Sequence, residues 1–146
     1  MKYLLIALFV VFAAAQIWVR FAPVDVALWH RWGLPPMGAG DYPQTGGFLT
    51  SGGVSGPDDL AKLDAVIRAT PRTRVLAGSV AEGMITYETR SAFWGFPDYT
   101  TVKLSQNGPG WILAIHGRLR FGNSDLGVNR KRIEGWLTKG ISLTKP

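Results

Sequence analysis

The chain opens with an unbroken apolar run. Between Lys2 and Arg20 no side chain carries a charge. A bilayer-spanning helix needs about 17 to 25 such residues. Residues 1–20 are therefore predicted to be a transmembrane helix or uncleaved signal anchor. A cleaved signal peptide, with its small-residue site at Ala13 to Ala15, is the alternative.

After this run the hydrophobic pattern loses its regularity. Residues 21–47 contain proline and glycine too often for a long helix, so they are predicted to form a linker or collar. The segment nevertheless contains Trp29 and Trp32, which a free linker would not need. We expect part of it to pack on the membrane or on the following domain.

A regular pattern returns over residues 48–140, which are predicted to form one domain followed by a tail at 141–146. A helix begins at Pro57 and stops at Thr70, because the residue before a proline avoids the α region. A last helix begins near Ser124 or Asp125, either of which can cap it. Between the helices, β-branched and aromatic residues predict strands at 74–80, 84–90, 99–105 and 111–121.

The order of these elements indicates an α+β fold. The turns between the predicted strands are short, which implies antiparallel pairing. We expect an N-terminal membrane helix followed by a four-stranded, or slightly larger, antiparallel sheet with two helices packed on one face.

Charge and cysteine content narrow the possible functions. The chain has 16 Lys and Arg against 10 Asp and Glu, a net charge of +6, and no cysteine. The lack of cysteine excludes disulfides, thiolate metal sites and a cysteine nucleophile. The longest basic run is Arg130 to Arg132, so nucleic acid is not an expected partner, and a surface beside an anionic bilayer explains the charge.

The last predicted strand carries a row of cations. By the period of two, Leu113 and Ile115 belong to a core face, whereas His116, Arg118 and Arg120 share the opposite face. These three side chains either form a ladder for an anionic ligand or belong to a solvated face of the sheet, or the arginines pair with Glu88 and Asp98 on neighbouring strands.

An aromatic loop joins two of the predicted strands. Phe93, Trp94 and Phe96 lie in it, and they either cover the end of the sheet, dip into the bilayer or contact a protein partner. The predicted membrane or partner contacts are Trp18, Trp29, Trp32, Phe93, Trp94 and Phe96.

Catalytic chemistry has little support in the sequence. No nucleophile motif, phosphate loop or metal-spaced set of side chains is present, so no catalytic, cofactor-binding or metal-binding residue is predicted. Glu88 and Asp98 form an acid–base pair in principle, but nothing in their spacing distinguishes them.

Two motifs resemble a known family. The stretch Arg120–Glu134 resembles the C-terminal signature of the domain of unknown function 1499 family, and Arg90-Ser91 with Gly95-Phe96 and Asp98 is similar to its central motif. The similarity extends over residues 48–140. The resemblance implies a small bacterial protein with a lipid or membrane anchor, or a plastid protein, and it implies no activity. The cysteine motif common at the N-terminus of the family is missing.

A charge network is predicted around these motifs. Six of its members are expected to converge where the last strand meets the last helix, as a structural corner: Arg90, Asp98, Arg120, Asp125, Asn129 and Arg132. With His116 and Arg118 added, the set is the predicted anion-binding or structural charge network.

These observations lead to two functional hypotheses. The first is a non-catalytic, membrane-anchored accessory protein, a subunit or an assembly or stability factor of an inner-membrane protein complex. The second is a periplasmic module that binds an anionic lipid or a small anionic ligand. We expect a single pass through the bacterial inner membrane with the domain in the periplasm, because a very short head before the helix usually stays inside.

Overall fold

The computed structural model describes residues 1–145. Two helices precede the sheet, α1 (Lys2–Phe21) and α2 (Val26–Trp29). The remaining elements, in chain order, are β1 (Gly40–Gln44), β2 (Gly47–Val54), α3 (Pro57–Arg68), β3 (Thr73–Ser79), β4 (Met84–Arg90), β5 (Pro97–Asn107), β6 (Gly110–Leu119) and α4 (Val128–Gly140).

Helix α1 confirms the predicted apolar helix at the N-terminus. It is 20 residues long, and its most apolar stretch has a mean hydropathy of 2.2. By length and composition it is able to cross a membrane, a property that signal sequences share. None of its residues is buried, but Ala13, Gln16 and Val19 are half-buried at three-residue spacing and mark the side that faces the domain.

The sheet has six antiparallel strands in the order β1-β2-β6-β5-β4-β3. The predicted antiparallel pairing is confirmed, but the predicted number of four is too small. The two additional strands, β1 and β2, were not predicted because their glycine and proline residues are typical of turns. A Cβ atom at Gly47 would overlap the carbonyl oxygen of Gly117, so glycine permits β2 to pair with β6 here. Pro43 lies on the edge strand β1, where a missing N–H is tolerated.

Helices α3 and α4 pack on one face of the sheet, hereafter the helix face. Helix α4 contacts β2 and β6, and α3 contacts β3 and α4. Gly117 on β6 allows this approach, because a Cβ there would lie 2.9 Å from Asn129 Oδ1 and 3.0 Å from Ile133 Cδ1. The core between these layers consists of Phe48, Leu60, Leu63, Ile67, Ile85, Tyr87, Val102, Leu113, Ile115, Ile133 and Trp136.

The last helix begins later than the sequence indicates. It starts at Val128 instead of near Ser124 or Asp125 because Leu126 and Gly127 have left-handed backbones, with φ of 52° and 78°. The Asp125 carboxylate still reaches this end of the helix. It accepts hydrogen bonds from the Gly127 and Asn129 N–H groups, both at 3.0 Å.

Residues 22–39, hereafter the collar, cover part of the opposite face of the sheet, hereafter the collar face. The ring of Trp29 lies against that of Tyr99, with centroids 4.2 Å apart, and the Trp32 ring meets His116 edge-on at 6.4 Å. The predicted tail also contacts the sheet, since Thr144 bridges to Gly53, while its residue 146 lies outside the described residues. Both faces of the sheet are therefore covered, by different means.

Candidate functional site

Strand register brings three charged residues and a tyrosine, from four strands, together on the collar face. Arg74 of β3 is opposite Glu88 of β4, Glu88 is opposite Tyr99 of β5, and Tyr99 is opposite Arg118 of β6. Partners in register share a face of the sheet. The row therefore crosses the sheet beneath the collar.

Three arginines of the collar face, hereafter the arginine clasp, bind the last turn of α1 and the chain that follows it. Each donates to a main-chain carbonyl oxygen of this stretch. The bonds are Arg90 Nη1 to Val19 O at 3.3 Å, Arg120 Nη2 to Pro23 O at 2.6 Å and Arg118 Nη2 to Trp29 O at 2.9 Å. The chain is consequently fixed to the sheet at three points between the last turn of α1 and the end of α2.

Arg118 lies at the centre of the clasp. Its Nη2 also donates to Thr101 Oγ1 at 2.7 Å, and its guanidinium lies 5.3 Å from the centre of the Trp29 ring. Burial, with repulsion from Arg31, lowers the pKa of Arg118. Among the described residues, the buried Nε atom of Arg118 has no hydrogen-bond partner.

A row of hydroxyl groups extends this polar contact. Thr86 Oγ1 lies 3.0 Å from Thr101 Oγ1, and His30 Nδ1 of the collar lies 3.0 Å from Thr86 Oγ1. Both threonines are fully buried. Buried hydroxyls need partners, so the collar is positioned by hydrogen bonds as well as by ring packing.

Glu88 is the buried carboxylate of the collar face, with 1% of its surface exposed. It accepts hydrogen bonds from Arg90 Nε at 2.8 Å, Arg74 Nε at 3.1 Å and the Tyr99 hydroxyl at 3.4 Å. Burial alone would raise the pKa of Glu88. The hydrogen bonds from the two arginines outweigh burial and hold that pKa below its usual value.

His116 is neutral at pH 7. Burial, reinforced by repulsion from Arg118, lowers the pKa of His116 to about 4. Its Nε2 lies 3.0 Å from Gln44 Oε1 of β1. The predicted ladder of His116, Arg118 and Arg120 thus contains one uncharged member and two guanidinium groups that bind the collar.

The other predicted charges form a separate group on the helix face. Arg132 of α4 donates to Asp98 Oδ2 at 3.0 Å and to Asn129 Oδ1 at 2.9 Å. Burial raises the pKa of Asp98, and attraction by Arg132 offsets that rise only in part, while repulsion from Asp125 adds to it. The group joins the start of β5 to the first turns of α4.

The six residues expected at one corner are therefore divided between the two faces. Arg90 and Arg120 lie on the collar face, and the others lie on the helix face: Asp98, Asp125, Asn129 and Arg132. The candidate acid–base pair is divided too, because Asp98 is in register with Thr89 and not with Glu88. The predicted ion pairs are also wrong, because Glu88 and Asp98 pair with arginines other than Arg118 and Arg120.

The aromatic loop lies beside α1. Trp94 meets Phe12 edge-on with ring centroids 5.7 Å apart, and the backbone of Gly95 lies against the Arg20 side chain. Phe93, Trp94 and Phe96 remain exposed. Of the other predicted contacts, Trp18 is exposed on α1, whereas the rings of Trp29 and Trp32 lie against the sheet.

Two clefts adjoin this loop. One, of about 450 Å³ at the end of the sheet, is lined by residues of both sequence motifs, among them Asp98, Asp125 and Arg132. The other, of about 380 Å³ and hereafter the anchor cleft, lies between α1 and the sheet; its charged lining is Arg20, Arg72, Arg74, Glu88 and Arg90.

Sequence reasoning missed the anchor cleft because its arginines are distant along the chain. Arg20 was visible only as the end of the apolar run, and Arg72 and Arg74 belong to no motif. As for metals, no cluster of three or more His, Asp or Glu side chains suited to an ion occurs within residues 1–145.

Comparison with known families agrees with the resemblance of the two motifs. A family model described as "Protein of unknown function (DUF1499)" matches residues 47–139, well over half of the chain. A search of curated proteins with this chain found no match. The matched region starts at β2 and runs almost to the end of α4, so it contains five of the six strands and both helices of the helix face.

Proposed function

Since this chain belongs to the DUF1499 family, whose description names no activity, we propose a function from its geometry. The protein is a membrane-anchored, non-catalytic accessory protein, a subunit or an assembly or stability factor of an inner-membrane protein complex. The arginine clasp is the observation that carries this proposal.

The clasp determines how the domain sits relative to its anchor. A tether that gives an enzyme reach is a flexible linker without fixed contacts. Here, charged donors on the sheet bind the main chain at Val19, Pro23 and Trp29. Such a connection holds the domain in one orientation above the bilayer, which a subunit that meets a neighbouring membrane protein requires.

The aromatic loop supports membrane anchoring through α1. Phe12 precedes Arg20 by eight residues, or about 12 Å along a helix. With Arg20 at the membrane surface, the Trp94 ring beside Phe12 reaches the acyl chains. The loop and α1 would then enter the bilayer together, and the exposed Phe93 and Phe96 would face lipid or a membrane partner.

Extraction of native membranes with a mild detergent tests the proposal. We expect the full chain to migrate on a native gel as part of a larger assembly with other proteins. The double variant R118Q/R120Q should lose that association while the sheet stays folded by circular dichroism. The matched control is R130Q, because Arg130 is exposed and its recorded ion pair is with Glu134. A wild-type chain that migrates only as a monomer would refute the accessory role.

The proposed placement of the domain has its own test. We expect protease added to spheroplasts to cut a periplasmic domain, for example in the exposed turn around Asn107 and Gly108. A cytoplasmic marker protein must remain intact in the same sample. If the domain resists until the membrane is permeabilised, it lies on the cytoplasmic side.

A second candidate is a module that binds an anionic lipid or a small anionic ligand. The predicted ladder does not favour it, because Arg118 and Arg120 bind the collar and His116 is neutral. The anchor cleft does favour it, since arginines outnumber carboxylates there.

A further inference from the structure

We infer that the anchor cleft binds the phosphate group of an anionic phospholipid. The inference rests on the proposed membrane anchoring of α1, which puts the cleft at the level of the lipid headgroups. It assigns a ligand class and a binding role to Arg20 and Arg72, which neither sequence motif contains.

The charge of the cleft is unbalanced. Four arginines line it against one carboxylate, Glu88. That carboxylate already accepts hydrogen bonds from Arg74 and Arg90, and its single negative charge against four positive ones leaves the lining strongly cationic. A mobile anion is the simplest counter-charge for the remaining arginines.

Arg20 and Arg72 have donors to offer. Within residues 1–145, the guanidinium of Arg20 takes part in no recorded hydrogen bond or ion pair, and Arg72 uses only its Nε, which donates to the Arg90 carbonyl at 3.2 Å. A guanidinium binds phosphate through two parallel N–H bonds, which suits these unused edges.

Backbone conformation also distinguishes Arg72. Its φ is 58°, a left-handed value that non-glycine residues adopt rarely. Arg72 lies in the short connection between α3, which ends at Arg68, and β3, which begins at Thr73. The chain holds an arginine in the lining of the cleft in spite of this backbone cost.

The position of the cleft favours a lipid as the source of the phosphate. Arg20 is the last charged residue of α1, and long cationic side chains near helix ends extend to the headgroup layer. Gly95 of the aromatic loop lies against the Arg20 side chain and also lines the cleft. A phospholipid could therefore put its phosphate between the arginines and its acyl chains beside Phe93 and Trp94.

Native mass spectrometry of the full chain in detergent provides the test. Phosphatidylglycerol and phosphatidylcholine with the same acyl chains are titrated separately. We expect wild type to retain phosphatidylglycerol more tightly, and R20Q/R72Q to bind it about tenfold more weakly or worse, equal to phosphatidylcholine. The control R130Q/K131Q removes two exposed cations of α4 and should behave as wild type.

Three outcomes overturn the inference. They are equal retention of the two lipids by wild type, unchanged retention by R20Q/R72Q, and thermal stabilisation by inorganic phosphate without any lipid preference, which would make free phosphate the ligand. Failure of the anchoring itself is seen separately, as release of the wild-type chain from membranes by alkaline carbonate. If the lipid preference is absent but the chain stays bound to membranes, the proposed headgroup site is wrong and the accessory role is unaffected.

Discussion

The two faces of the sheet are covered by different physical means. On the helix face, apolar side chains of α3 and α4 meet a row of buried Leu, Ile, Val, Phe and Tyr side chains. On the collar face, arginines and buried threonines bind a segment that has hardly any regular structure, and Glu88 holds Arg74 and Arg90 in place. The first kind of contact stabilises the fold through removal of apolar surface from water. The second contributes less stability, because each hydrogen bond replaces one with water, but it fixes geometry.

The contrast indicates a division of roles. Substitution of a core side chain on the helix face should destabilise the whole domain, whereas most substitutions on the collar face should release the collar and α1 from a sheet that stays folded. The first prediction concerns a core residue of the helix face. The second concerns Glu88, a residue of the collar face whose loss should destabilise the fold itself. The last two predict smaller changes in stability at neutral pH.

The largest effect is expected from Phe48→Ala. Phe48 is 1% exposed in the core of the helix face, and loss of such a side chain costs about 3 to 5 kcal/mol in the free energy of unfolding. Guanidinium titration of the chain in detergent, followed by near-UV circular dichroism, measures it. The matched control is Phe93→Ala in the aromatic loop, where Phe93 is 75% exposed and the change should be below about 0.5 kcal/mol. Equal effects at the two positions would refute the contrast.

Glu88→Gln should have the next largest effect. The substitution keeps the shape but removes the charge that Arg74 and Arg90 face, and bonds to charged groups contribute about 1.5 to 3 kcal/mol. Because the pKa of Glu88 is below its usual value of 4.5 in the folded state, its contribution is present above pH 4.5 and is lost as the pH falls further.

Urea titrations between pH 3 and pH 7 measure both parts of this prediction. Wild type should lose stability below about pH 4.5 more steeply than Glu88→Gln does. The control is Glu134→Gln, since the side chain of Glu134 is 51% exposed in its pair with Arg130. Parallel curves for wild type and Glu88→Gln would mean that the buried carboxylate is not stabilised by its arginines.

The helix face is also the part that the sequence predicts best. Alternation along β6 assigns Leu113 and Ile115 to the core correctly, and α3 begins at Pro57 as its pattern indicates. Periodicity fails at β1 and β2, where glycine serves close backbone approach, as at Gly47, and not a turn. Local pattern cannot tell these two uses of glycine apart.

For the candidate site, the sequence predicts which residues share a face of the sheet but not what they bind. The row of His116, Arg118 and Arg120 follows from the period of two, but their partners do not, because they are carbonyl oxygens and hydroxyls up to 97 positions away, as in the bond from Arg120 to Pro23. A main-chain acceptor leaves no trace in residue identity. The anchor cleft could not be predicted either, because it forms only where α1 passes the start of β3, and these segments are distant along the chain.

Asp125→Ala tests the junction between the last strand and the last helix. The Asp125 carboxylate accepts the Asn129 N–H at 3.0 Å, and loss of such a capping group costs about 1 kcal/mol. Thermal unfolding should show a lower Tm than wild type. Asp58→Ala is the control, because Asp58 is exposed in the first turn of α3. An unchanged Tm would mean that Asp125 has no structural role and is free for a ligand.

The smallest effect at neutral pH is expected from His116, whose contribution on the collar face changes only at acidic pH. The pKa of His116 is about 4 in the folded state against 6.5 ordinarily, so the unfolded chain binds more protons between these values. Stability should therefore rise as the pH increases from about 4 to 6.5 and be fully present above 6.5. His116→Gln should reduce this slope and leave stability at pH 7 to 8 nearly unchanged, which urea titrations at intervals of half a pH unit can resolve.

A second measurement locates the effect within the molecule. Protonated His116 would repel Arg118, which holds the carbonyl oxygen of Trp29, so acidification should loosen the collar before it unfolds the sheet. Hydrogen exchange at pH 5 should then be faster in residues 22–39 than at pH 7, after correction for the intrinsic rate, while amides of β5 and β6 remain protected. Simultaneous loss of protection in the collar and the strands would mean that the two faces unfold as one unit. In that case the collar would be part of the core rather than a segment docked on it.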